Sequence, residues 1–113
     1  MAKYERTLTG DFRGLLTAVE QGIMKGSVSA SLEDQSNFEA GNVQVAVRVF
    51  ERFSWMGSNR VSLSVTMVGQ GGQIFVSAIT SGGSQAVFFK INTFGEGAFL
   101  DKLREIVDGY AGR

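Results

Sequence analysis

The chain contains no Cys, no Pro and no His. Without Cys there is no disulfide, no thiol nucleophile and no redox couple. Without His, serine triads, imidazole acid–base catalysis and most zinc sites are excluded. The absence of Pro removes the commonest breaker of strands and helices. Eleven basic residues balance eleven acidic ones, so no excess charge draws the chain to nucleic acid or to an anionic membrane. No apolar run reaches the roughly 20 residues that a membrane-spanning helix needs, so no membrane insertion is expected. Lys3, Glu5, Arg6 and Asp11 mark a start that no apolar segment follows, which argues against a signal peptide and for a cytoplasmic location.

What is present is the material of a single domain over residues 1–113. The apolar share is 43% and the charged share 19%, ordinary values for a chain that builds its own core. Residues 3–8 are expected to form a short strand. Over 11–25, Phe12, Leu15, Leu16, Val19 and Ile23 fall on one helical face. Asp11 is placed to cap that helix, and Gly26 to close it in the left-handed conformation. Gly14 and Gly22 each weaken it by about 1 kcal/mol relative to Ala, which packing must offset.

From 27 to 91 the period changes to two. Val28, Ala30 and Leu32 alternate with serines, and the cluster Asp34–Asn37 reads as a turn. Val43, Val45, Val47 and Val49 form the clearest stripe, and Val61, Leu63, Val65 and Met67 alternate with Ser62, Ser64 and Thr66. Such alternation predicts an antiparallel sheet with one buried face. Segments 73–81 and 86–91 continue it. Residues 94–110 read as a long helix opened by the capping box Thr93–Glu96, with Phe99, Leu100, Leu103, Ile106, Val107 and Tyr110 as its apolar face.

Parity sets the expected register, because a one-residue slip turns every side chain to the other face. A loop at 56–58 that sets Phe53 against Val61 also sets Val49 against Val65 and Val47 against Met67. A turn at Gln70–Gly71 pairs Met67 with Ile74 and Val65 with Val76. A turn at Gly82–Gly83 pairs Ala78 with Val87 and Val76 with Phe89. All three hairpins then share one apolar face.

The resulting class is α+β: an antiparallel sheet of five to six strands, a short helix after the first strand, and a long C-terminal helix packed on one face. That element order, with the patch Arg60-Val61-Ser62-Leu63-Ser64-Val65-Thr66 before a glycine turn, resembles a compact helix-grip domain of the START and Bet v 1 lipid-binding superfamily. That superfamily usually has more residues between the first strand and the sheet, and more strands, and both departures shrink any cavity here. The stretch Ala78-Ile79-Thr80-Ser81-Gly82-Gly83-Ser84-Gln85 is similar to a small uncharacterised bacterial family, which implies no activity.

The chemistry left to the chain is carboxylate, Lys, Tyr, Ser and Thr, and its acids are scattered over turns and helix faces. Gly69-Gln70-Gly71-Gly72 and Ser81–Ser84 lack the Lys-Ser/Thr ending and following helix of a phosphate loop, and read as hairpin turns. No catalytic constellation, metal site or cofactor emerges. Two function classes stay open. One is a non-enzymatic module for a small apolar ligand, lined by Val49, Leu63, Val65, Phe89, Phe99 and Leu103. Glu51, read as facing Leu63 on the apolar side, would be its polar anchor, unless the sheet bends or bulges near the hairpin and lets its carboxylate out. The other is a homodimeric interaction or structural protein with a packed core, whose outer face carries Arg48, Phe50, Phe75 and Phe88. Arg and aromatic residues are enriched at such interfaces. The neutral charge argues against reading that face as a nucleic-acid platform.

Overall fold

The structure, a computed structural model, describes residues 1–27, 29–54, 59–82 and 89–112, without the side chains of 54, 59 and 89–96. Strand β1 (Ala2–Thr9) leads into helix α1 (Phe12–Lys25). Asp11 caps α1 by accepting a hydrogen bond from the Gly14 N–H at 2.7 Å. Gly26 ends it in the right-handed region, φ −78°, and donates to the Gly22 carbonyl, so the left-handed ending expected there does not form.

Strands β2 (Ser31–Ala40), β3 (Val43–Ser54), β4 (Asn59–Gln70) and β5 (Gln73–Gly82) follow, and helix α2 (Phe89–Ala111) closes the fold. Asp34–Asn37 belong to β2 rather than to a turn. Their polarity fits a strand at the sheet edge, exposed on both sides. The turn falls instead at Gly41–Asn42, where Gly41 takes φ 59° and Ala40 pairs with Val43.

Among the described residues the sheet has five antiparallel strands in the order β1-β5-β4-β3-β2. Among those residues the second edge of β5 is taken by β1, not by a strand of a third hairpin. Val76 pairs with Arg6 and Ala78 with Tyr4 on β1, and Phe89 lies in α2. Val87, Phe88 and the loop at 56–58 lie outside the described residues. Thr93 is inside α2, so Thr93–Glu96 does not cap its start.

The β4–β5 turn uses Gly71 and Gly72, at φ 57° and 84°, and pairs Met67 with Val76 and Val65 with Ala78. This is two residues from the expected register, so the buried face of both strands is as expected. The β3–β4 register differs by one residue, which inverts β3. Arg48 pairs with Val65, Phe50 with Leu63 and Ala46 with Met67, while Val47 faces Thr66 and Val49 faces Ser64.

The core lies on the side of Leu63, Val65, Met67, Ile74, Val76 and Ala78, each at most 1% exposed. Leu15, Leu16, Val19 and Ile23 of α1 and Phe99, Leu100, Leu103 and Val107 of α2 complete it, which bears out both helical faces. Helix α2 packs on β5, β1 and β4, and on α1. The two α1 glycines make that last contact. A Cβ at Gly22 would stand 2.5 Å from Ile106 Cδ1, and one at Gly14 would stand 2.6 Å from the Tyr110 hydroxyl. Their cost to the helix is offset by close approach.

Candidate interaction surface

Inversion of β3 sorts its side chains in an unexpected way. Arg48 is 5% exposed on the inner face. Its Nε donates to Glu20 of α1 at 2.6 Å, and its Nη1 donates to the carbonyls of Ser36 and Val47. Phe50 is fully buried beside Leu63. Arg52 lays its guanidinium over the Phe99 ring, 4.5 Å from the centroid, and burial lowers its pKa from the ordinary guanidinium value. The interface expected from Arg48 and Phe50 is therefore part of the interior, and of that set only Phe75 lies on the outer side. Phe88 lies outside the described residues.

The residues expected to line a ligand site are divided by the sheet. Leu63, Val65, Phe99 and Leu103 meet on the inner side, none more than 1% exposed. Val49 and Glu51 point the other way, opposite Ser64 and Ser62 rather than Val65 and Leu63. Glu51 is held by Arg60 at 2.5 Å and accepts from the Ser62 hydroxyl at 3.4 Å. Arg60 also stacks over Phe53, 5.2 Å from its centroid. Phe89 is the first residue of α2, and its side chain is outside those described.

The outer face is built from rows that run across all five strands. One row is Thr7, Phe75, Val68, Val45 and Phe38. The next, one residue pair along, is Glu5, Ser77, Thr66, Val47 and Ser36, and the third is Lys3, Ile79, Ser64, Val49 and Asp34. In these rows charge appears only on the outer strands β1 and β2. Phe38 is 62% exposed, Phe75 38% and Ile79 41%. Both helices bury their apolar faces on the opposite side, so no described helix covers this one. The β3 valines were legible as a stripe, but their role as outer surface was not; the signal was the serine-rich alternate face of β4 that they oppose.

A polar cluster joins the two ends of the chain. The Tyr4 hydroxyl donates to Asp108 at 2.7 Å and Arg6 Nη1 donates to the same oxygen at 2.6 Å. These bonds, that from Tyr4 foremost, hold the Asp108 carboxyl below the usual carboxylate range, while burial and then Asp108 push Tyr4 above its ordinary value. The cluster ties β1 to α2 and assembles no nucleophile with a base. Among the described residues no group of three or more Asp or Glu is placed to hold a metal, and no helix is long and apolar enough to cross a membrane.

The molecule is thus an α+β domain with a packed helical side and a sheet side that no described helix covers. It belongs to a family of unknown function, DUF6054, whose model matches residues 1–111. No curated protein matches it. Among solved structures, the crystal structure of TTHA0849 from Thermus thermophilus is 10% identical, with 97% of this chain and 98% of that chain covered at a TM-score of 0.32.

Proposed function

We propose that the domain is a non-enzymatic, homo-oligomeric interaction module that docks through the outer face of its sheet. The observation that carries this reading is the row Phe75, Val68, Val45 and Phe38, apolar, part-exposed and free of charge from β5 to β2. Monomeric proteins rarely leave a contiguous apolar patch of more than a few hundred Å² open. The sheet order, with β1 beside β5 and α2 across β4, β5 and β1, supports a compact helix-grip-like arrangement. A small apolar ligand held among Leu63, Val65, Phe99 and Leu103 has less support, since those side chains already exclude solvent.

Sedimentation velocity at micromolar concentration tests the reading. The wild type is expected at about twice 12.2 kDa. Val45→Lys, which puts a charge in the uncharged row, is expected to run as a folded monomer with an unchanged far-UV spectrum. A wild type that stays monomeric contradicts the proposal.

A further inference from the structure

One row of the outer face ends in charges of opposite sign. Lys3 on β1 and Asp34 on β2 close the two ends of a single row, with Ile79, Ser64 and Val49 between them. Strand β2 reads SLEDQSNFEA: three acids and no base. Of these, Asp34 stands in the outer rows, and a two-fold axis that lays each strand on its own copy sets Asp34 on Asp34 where it crosses the strands at that row, or Glu5 on Glu5 where it crosses at the row of Ser77 and Thr66. A two-fold axis lying between the sheets and running along β4 does the reverse. It lays β1 of one copy over β2 of the other and superposes each row on itself in reverse order.

From this we infer that the occupant of the outer face is a second copy of the chain, related by a two-fold axis close to the β4 direction, with Lys3 of each copy over Asp34 of the other. The inference rests on the reading of that face as a self-association surface. Within the same row Ile79 meets Val49 and Ser64 meets Ser64; in the row Thr7 to Phe38, Phe75 meets Val45. Glu5 falls over Ser36, so no like charges oppose each other across these rows. The size is also sufficient. Five strands about 4.8 Å apart, of about ten residues at about 3.3 Å each, present roughly 800 Å². Each partner contributes about that much to a stable interface of standard size. Two sheets packed in this way form an aligned sandwich, in which a tilt of about 30° between strand directions still leaves Lys3 and Asp34 within a lysine's length of each other.

The charge-swap series Lys3→Glu, Asp34→Lys and the double variant tests the arrangement by sedimentation equilibrium in about 50 mM salt, where the screening length exceeds the contact distance. Both positions are exposed, so all three variants are expected to fold, which an unchanged far-UV spectrum checks. Each single variant places like charges at both symmetry-related contacts, and its dimer is expected to dissociate about three- to ten-fold more readily. The double variant, with the pair restored in the opposite sense, is expected to return to within about two-fold of wild type. A dimer indifferent to the single changes, or one in which the double variant is weakened additively, overturns this arrangement and leaves self-association standing. A wild type that is monomeric at every concentration overturns both.

Discussion

The two faces of the sheet follow different rules although they belong to the same strands. On β4 the inward residues are Val61, Leu63, Val65 and Met67 and the outward ones Ser62, Ser64, Thr66 and Val68. On β3 the inward residues are Ala46, Arg48, Phe50 and Arg52, and the outward ones are the four valines and Glu51. Polarity is therefore out of phase between hydrogen-bonded neighbours. The position of the helices explains this. Helix α2 packs on β1, β5 and β4, so β3 lies at the margin of the helical layer and β2 beyond it, where Leu32 is 39% exposed. At such a margin, long amphipathic side chains close the core with their stems and carry their charges to its rim. Arg48 reaches Glu20 and Arg52 reaches the Phe99 ring in this way. The valines suit a pleated, half-exposed surface equally well.

The largest expected effect lies where both layers meet. Leu103 is fully buried, and Leu103→Ala is expected to lower stability by about 2–5 kcal/mol, read from urea midpoints. A smaller loss would mean that the space between α2 and the sheet is less filled than the burial of Leu63 and Phe99 indicates.

Next comes the contrast between adjacent residues on β3. Arg48→Ala removes three hydrogen bonds, one of them to a carboxylate, and is expected to cost about 2–3 kcal/mol. Val47→Ala, on the outer face, is expected to cost about 1 kcal/mol or less in the monomer. Denaturation of the two variants at concentrations that keep the chain monomeric checks the ranking, and the opposite order would return the valines to the core.

Much of the fold was legible because several local signals agreed. The Asp11 cap, the apolar faces of both helices and the paired parity of β4 and β5 each rest on a short-range rule, and each is present in the structure. Sequence and fold part where a local rule meets a tertiary choice. Matching like with like across β3 and β4 assumed that both strands lie wholly beneath helices. The polar run Asp34–Asn37 looked like a turn because an edge strand has no buried side to reveal it. Segment 89–91 looked like strand because apolar residues at a helix start carry no period of their own. The site follows β3: of the two readings open for Glu51, anchor in the core or carboxylate let out of it, the structure has the second, with Glu51 paired to Arg60 on the outer face.

The orientation of β3 decides which surface is open, and thiol labelling reads it directly. The chain has no Cys, so Ala46→Cys and Val47→Cys each introduce the only thiol, at neighbouring positions and with little change in volume. With the chain kept monomeric by dilution, the thiol at 47 is expected to react with a maleimide readily. The thiol at 46, where Ala46 is 1% exposed, is expected to react at least about a hundred-fold more slowly, because only opening of the core uncovers it. Faster labelling at 46 than at 47 would contradict the inverted strand and, with it, the outer face as the docking surface.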